Sequence, residues 1–312
     1  RAVRRSRRGR VSVRAVVVAA AVVAALLRVT PAAACPSCGC GVANPTRLGA
    51  DIPFAGRARV GLVLTSSSLH EGDMALGASD LSVAGSFALT DFLVVEGAVP
   101  LSARFVLEPS KDGDDVDMTG RAVGLGDARL GARAVVFRDR SFAPRLMVAT
   151  RAQVVVPTAP QLTLRGVPVA MGLQPGAGAL AVNGSVAVLY RPISRLLLSI
   201  DVGGQTPLWT LDGASAGTTA QLQTSAQFDV TDVVSVRGTA TGQATHAPIA
   251  DHHGVRTASI NERGAVFAGA GLAFTIRPEI LAIVDVEVPV VAIGDPAIRD
   301  GARLTAGVVY DF

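Results

Sequence analysis

Residues 125–138 read LGDARLGARAVVFR, and this stretch contains the pattern that decides the fold. Small or apolar residues occupy its even positions from Gly126 to Val136, whereas Asp127, Arg129 and Arg133 occupy odd positions. Side chains alternate between the two faces of a β-strand, so a period of two predicts a strand with one apolar and one polar face.

The alternation returns along the chain after residue 56 and predicts twelve strands of about 11 to 15 residues. That is longer than the roughly 5 or 6 residues of globular strands and long enough for a tilted membrane crossing of about 9 to 11. No apolar run of about 18 residues follows residue 34, so a helical membrane protein is excluded. The expected strands are 57–69, 79–90, 92–105, 125–138, 143–156, 177–190, 195–207, 218–229, 233–245, 263–276, 279–291 and 301–312.

The connections between these strands alternate between short and long, as in outer-membrane barrels with tight periplasmic turns and longer external loops. We therefore expect an all-β, transmembrane, antiparallel up-and-down β-barrel in the bacterial outer membrane, with both termini periplasmic. The short turns are predicted at Asp91, 139–142, 191–194, 230–232 and 277–278. The long loops are predicted at 70–78, 106–124, 157–176, 208–217, 246–262 and 292–300.

Aromatic residues cluster at the predicted short-turn ends, where an interfacial girdle would lie. They are Phe92, Phe137, Phe142, Tyr190, Phe228, Phe274, Tyr310 and Phe312. Tyr310 and Phe312 also lie on the outward face of the twelfth strand, and they resemble the assembly signal that the barrel-assembly machinery recognises.

The segment 1–34 has the order of a secretory signal peptide that is removed on export: basic, then apolar, then small residues. A permanent anchor is the alternative, although the apolar run is shorter than the roughly 20 residues of a membrane-spanning helix. Eight of the 29 basic residues lie in this segment, which leaves 21 against 25 acidic residues. The excess of basic residues therefore gives no reason to expect a nucleic-acid partner.

A periplasmic segment that contains cysteine, glycine and proline is expected at 35–56, before a barrel at 57–312. Cys35, Cys38 and Cys40 form a C-x-x-C-x-C cluster in it. Two of these cysteines could form a disulfide in an oxidising compartment, the three thiolates could bind a soft metal, or Cys35 could carry a lipid. We expect no other cofactor.

The alternation also places charged side chains in the barrel lumen, where Glu96 is expected beside the strand of Arg129 and Arg133, and Asp285 and Glu287 beside that of Arg303. Twelve strands would leave a narrow passage, and these charges could either line a solute pathway or pair with one another and plug it. The predicted lumen residues are Arg57, Arg59, Glu96, Arg104, Asp127, Arg129, Arg133, Arg145, Arg151, Asp201, Arg237, Arg263, Asp285, Glu287 and Arg303.

An enzyme is not expected, because no nucleophile and base are brought together by the strand register. His246, Asp251, His252 and His253 cluster in one predicted loop, and a solvated polar loop is the favoured interpretation over a protease or a metal site.

The stretch from Gly124 to Arg133, GLGDARLGAR, resembles the glycine–aspartate strand of the outer-membrane barrel transporters of the phenol meta-cleavage pathway. The resemblance implies passive passage of small solutes, with aromatic or apolar molecules as candidates. Partners would then be the lipid bilayer, the barrel-assembly machinery and a small solute. A structural or surface-interaction barrel, with a plugged lumen and functional external loops, is the alternative.

Overall fold

The computed structural model describes the chain from Phe54 onward, with gaps between the strands. No helix in this part of the chain is long and apolar enough to cross a membrane. The described residues are 54–71, 74–109, 116–141, 143–159, 163–164, 167–168, 179–210, 218–246, 262–293 and 298–312.

The described residues form fifteen β-strands, of which thirteen make one sheet and two, β7 and β8, form a small separate hairpin. The strands are β1 (Ala58–Glu71), β2 (Met74–Ala88), β3 (Leu93–Pro109), β4 (Val116–Leu125), β5 (Ala128–Arg138), β6 (Leu146–Val156), β7 (Thr163–Leu164), β8 (Val167–Pro168), β9 (Ala179–Ile193), β10 (Leu196–Thr210), β11 (Thr218–Asp229), β12 (Val234–His246), β13 (Glu262–Arg277), β14 (Ile280–Ile293) and β15 (Ile298–Asp311).

The sheet closes on itself as an antiparallel barrel, because β1 pairs with both β2 and β15. Strands β4 and β5 both pair with β3, one after the other along the chain, so together they make a single crossing of the barrel. The thirteen strands of the sheet therefore make twelve crossings, and the predicted twelve-stranded, all-β barrel is confirmed.

The two faces of the barrel wall follow the period of two. On β1, Val60, Leu62 and Leu64 are exposed on the outside, while Arg59 and Val63 are buried on the inside. The same division holds around the barrel, so large apolar side chains form its exposed outer surface. Such a surface is stable in lipid and costly in water.

Aromatic side chains lie exposed at one end of the barrel. They are close to the C-terminus and to the turns that join β2 to β3, β5 to β6, β9 to β10, β11 to β12 and β13 to β14. This edge contains Phe87, Phe92, Phe137, Tyr190, Phe228, Phe274, Tyr310 and Phe312. The rings of Tyr310 and Phe312 contact each other edge to face, with centroids 4.6 Å apart. Phe142 lies outside the described residues.

Three predicted connections are wrong. The long loop expected at 106–124 contains the end of β3 and nearly all of β4, which stay paired as far as Pro109 and Val116. The long loop expected at 70–78 is largely strand, because β1 and β2 stay paired as far as Glu71 and Met74. The apolar alternation stops at the polar residues of this stretch, and the sequence analysis therefore places the end of the strand too early. The connection from β5 to β6 is longer than predicted, since β6 begins only at Leu146, after Pro144 has removed one backbone donor.

The boundary between β4 and β5 is a bulge within the motif that the sequence singles out. Opposite it, Pro100 of β3 accepts a hydrogen bond from Gly126, whose N–H lies 2.8 Å from the Pro100 carbonyl oxygen. The Thr158 hydroxyl donates to the Gly126 carbonyl at 2.6 Å and accepts from the Ala128 N–H at 3.0 Å. A side chain from the neighbouring segment thus replaces the ladder hydrogen bonds that the bulge interrupts.

Candidate functional site

Most of the predicted lumen residues that the structure describes lie on inward-facing positions of the wall. Buried among them are Arg59, Glu96, Asp127, Arg133, Asp285 and Glu287, and partly buried are Arg57, Arg104, Arg151, Asp201, Arg237 and Arg303. Arg129 faces inward and is exposed. Arg145 is exposed in the turn one residue before β6, at the barrel edge, because that strand starts later than predicted. The side chain of Arg263 lies outside the described residues.

A first group, the Glu96 cluster, joins β3, β5 and β6 and consists of Glu96, Arg133, Arg151 and Gln153. Arg151 Nε lies 2.6 Å from Glu96 Oε1, and the Gln153 amide donates to the same oxygen at 2.8 Å. Arg133 is buried close enough to act electrostatically on the Glu96 carboxylate. The ion-pair partner of Glu96 is therefore Arg151, one strand beyond the predicted neighbours.

A second group, the Asp285 cluster, joins β12 and β14 across β13 and consists of Arg237, Thr239, Thr241, Asp285 and Glu287. Arg237 pairs with Asp285 through two hydrogen bonds, one of them 3.1 Å from Nε to Oδ1. The hydroxyls of Thr239 and Thr241 donate to Glu287 Oε1 at 3.2 and 3.0 Å.

Arg303 lies directly opposite Glu287 in the strand register, as predicted from neighbouring strands. Its guanidinium, however, also stacks over the ring of Phe267, 3.6 Å from the ring centroid. A cation over an aromatic face gains attraction from the ring quadrupole, and the gain increases when both groups are removed from water. Phe267 itself is fully buried on the inner face.

Glycine allows these polar groups to meet across an intervening strand. Gly271 of β13 is the register partner of both Arg237 and Asp285, so the pair forms over a position without a side chain. A Cβ at Gly271 would lie against the Asp285 carboxylate and 2.7 Å from the Val284 carbonyl oxygen. In the same way, Gly131 of β5 is the register partner of both Glu96 and Gln153. Removing a side chain from the middle strand thus brings groups two strands apart within hydrogen-bond distance.

Three acidic groups that the sequence analysis does not select also pair inside the barrel. Asp311 accepts from Arg57 at 2.5 Å and from Arg59 at 2.5 and 2.9 Å, across the seam between β1 and β15. Asp80 accepts from Arg104 at 2.8 Å. Asp229 accepts from the Ser235 hydroxyl at 2.7 Å. Their inward parity was visible in the sequence, but Asp80 and Asp311 lie near expected strand ends and Asp229 beside an expected turn.

A cavity of about 290 Å³ lies on the inner wall formed by β5, β6, β9, β10 and β11. Its lining is polar and contains two arginines, one aspartate and five amide side chains, and we call it the amide cavity. The lining residues are Arg129, Arg151, Gln153, Asn183, Ser185, Asp201, Gly203, Gly204, Gln205, Thr219, Gln221 and Gln223. Sequence reasoning marked the charges here and missed the amides, although their inward parity was readable along β11.

Comparison with solved structures identifies the fold. The crystal structure of an outer membrane channel from Pseudomonas putida F1 superposes with a TM-score of 0.61 at 12% identity, covering 83% of this chain and 96% of that chain. The fold is that of a bacterial outer-membrane β-barrel.

More distant likenesses include the NanC porin, with a TM-score of 0.45 at 7% identity over 80% of this chain and 98% of that chain. The toluene transporter TbuX of Ralstonia pickettii has a TM-score of 0.38 at 11% identity, covering 82% of this chain and 89% of that chain. At these lower scores the likeness does not bear on function. No family model matches the chain, and no curated protein matches its sequence.

Within this outer-membrane barrel fold, the described wall offers hydrogen-bonding and ion-pairing groups to a solute. No group of three or more metal-ligating side chains occurs among the described residues. Cys35, Cys38 and Cys40 lie outside them, as do Asp251, His252 and His253. The candidate site is therefore the inner wall. The amide cavity shares Arg151 and Gln153 with the Glu96 cluster and extends from there along β9, β10 and β11 toward the Asp285 cluster on β12 to β14.

Proposed function

We propose that the barrel lies in the outer membrane, with both termini in the periplasm, and lets small solutes pass without coupling to an energy source or to a chemical reaction. The observation that carries this proposal is the amide cavity, a space with a polar lining inside a wall whose outer face is apolar. A polar interior behind an apolar belt is the arrangement of barrels that hold water in the membrane.

The charged clusters restrict where a solute could pass. Glu96, Arg133, Asp285 and Glu287 are buried, and two of these acids are held in ion pairs, Glu96 with Arg151 and Asp285 with Arg237. The polar side chains that line the cavity along β9, β10 and β11 are only partly buried. We propose that the pathway follows this wall, between the two clusters, and that the clusters brace it.

The burial of those same charges supports a second candidate function. If their ion pairs and the residues around them close the lumen completely, the barrel would act as a structural support for its external loops. The structural support and the channel differ in one measurable property, which is ion flow.

Single-channel recording separates the two functions. Purified, refolded full-length protein is inserted into planar lipid bilayers in a potassium chloride solution, with heat-inactivated protein as the control. A channel predicts discrete current steps that scale with salt concentration. Folded, inserted protein that gives no current above the control would overturn the passage of solutes and favour the structural barrel.

A further inference from the structure

The amide cavity has a floor without side chains and a rim of hydrogen-bonding groups. Gly203 of β10 lies at its centre, with Ser185 of β9 and Gln221 of β11 as its register partners. A Cβ at Gly203 would come within 2.5 Å of the Ser185 Cβ and 2.7 Å of the Gly184 carbonyl oxygen, so only glycine fits. Asp201 and Gln205 stand two residues before and after this floor on the same inward face.

Four amide side chains of this rim form no side-chain hydrogen bond within the part of the chain that the structure describes. They are Asn183, Gln205, Gln221 and Gln223. Gln205 lies opposite Asn183, and Gln221 and Gln223 lie two residues apart on one face of β11. Each amide offers both donors and an acceptor. On the wall of the cavity they offer both donors and acceptors to a molecule that fills it.

The charges of the lining nearly balance. Arg151 pairs with Glu96 at 2.6 Å, and the other two charged groups of the wall are one positive, Arg129, and one negative, Asp201. Apart from glycine, the described lining is entirely polar. An aromatic or aliphatic solute would leave these amides without partners, and unpaired polar groups make binding unfavourable.

We infer that the amide cavity binds a small, uncharged, polyhydroxylated solute of monosaccharide size. Each hydroxyl of such a molecule both donates and accepts, as the amides do, and the cavity of about 290 Å³ holds one such ring with water around it. This inference rests on the proposed function, since it names the class of solute that the pathway takes.

The test measures binding and passage separately, with D-glucose as the probe and benzyl alcohol as the apolar comparison. Saturation-transfer NMR on detergent-solubilised, full-length protein gives the affinity. Reduction of single-channel current by D-glucose gives occupancy of the pathway. The test variant is Gln221→Leu/Gln223→Leu. The matched control is Gln243→Leu, on the inward face of β12 opposite Gln221 and outside the cavity lining.

We expect D-glucose to bind and to reduce the current, and the double variant to weaken its affinity about tenfold, since two hydrogen bonds of ordinary net strength are lost. Gln243→Leu should leave the affinity unchanged. If the double variant fails to fold, as judged by heat-modifiable gel mobility, Asn183→Ala replaces it and should weaken binding severalfold.

Equal affinity in wild type and the cavity variants, or displacement of D-glucose by benzyl alcohol at lower concentration, would overturn the assignment of the site. Binding of D-glucose by a protein that carries no current would leave the site standing and overturn the proposed passage. Single-channel current that D-glucose does not reduce, in a protein that does not bind D-glucose, would leave the proposed passage standing and overturn the assignment of the site.

Discussion

At the scale of single residues, the barrel wall depends on positions where a side chain is missing. Arg237 and Asp285 belong to strands that are not neighbours, and they meet because Gly271 stands between them. A buried ion pair contributes little net stability when it is complete, but breaking it leaves a charge without compensation. The glycine is therefore as important to the pair as the two charged groups.

Gly271→Ala should consequently destabilise the folded barrel by about 1 to 3 kcal/mol, because the new methyl group forces the Asp285 carboxylate and the neighbouring backbone to move. Gly238→Ala is the matched control, since a Cβ there meets nothing within 4 Å. Urea unfolding of the protein in lipid vesicles, followed by the fluorescence of Trp209, gives both free energies of unfolding. Equal loss in the two variants would contradict the role of Gly271.

At the scale of strands, the bulge between β4 and β5 is held by a residue that lies outside both. The Thr158 hydroxyl bonds to the Gly126 carbonyl and the Ala128 N–H at 2.6 and 3.0 Å. Thr158→Val keeps the shape and removes both bonds, which should cost about 1 to 3 kcal/mol. Thr224→Val, on the exposed outer face of β11 with only a 3.5 Å contact to a carbonyl, should cost less in the same unfolding assay.

The turn between β5 and β6 gives a prediction about pH. Asp139 accepts backbone hydrogen bonds from Arg145 at 2.8 Å and Leu146 at 3.1 Å. Desolvation raises the pKa of this carboxyl, but the two donors outweigh it and hold the pKa below its ordinary value of 3.8. A carboxyl whose pKa is lowered by folding stabilises the fold above its unfolded pKa, and this contribution is lost as the pH falls through the folded pKa.

Asp139→Asn should therefore unfold more easily than wild type at neutral pH, and the difference should shrink below about pH 3.8. Asp232→Asn, in the turn between β11 and β12, is the control, because its side chain accepts no hydrogen bond within the described residues. Urea unfolding at pH 7 and pH 3 is the measurement. A difference that stays constant or grows in acid would show that the charge of Asp139 is not involved.

Strand number and facing were predictable, because a bilayer outside and water inside impose a period of two on every crossing. The partners of the inward charges were not. Asp285 bonds to Arg237 across Gly271, whereas neighbouring strands suggested Arg303. Which arginine pairs with Asp285 depends on the register of the strands and on the absence of a side chain at Gly271. The alternation of polar and apolar residues contains neither kind of information. The extension of β1 to Glu71 was missed because its last residues lack the apolar outward pattern.

At the scale of the whole molecule, the charged residues of the inner wall are of two kinds: some are buried and stabilise the wall, and others are exposed to the cavity. Arg129 and Arg133 lie four residues apart on one inward face, and the sequence treats them alike. In the structure Arg133 is buried in the Glu96 cluster, whereas Arg129 is exposed in the amide cavity. Buried charges mainly affect stability, and exposed charges in a narrow passage mainly affect the ions that pass.

The two arginines should therefore respond differently to the same substitution. Arg133→Ser should lower the free energy of unfolding by about 1 to 3 kcal/mol, because it removes part of the positive charge that balances buried Glu96, whose ion pair with Arg151 remains. Arg129→Ser should lower the free energy of unfolding less, because Arg129 is exposed, and it should shift the reversal potential in a potassium chloride gradient toward cation preference, because it removes a positive charge from the passage. Urea unfolding and bilayer recording on both variants make the comparison. If Arg133→Ser changed selectivity and Arg129→Ser changed only stability, the assignment of bracing and pathway to these two sides of the wall would be reversed.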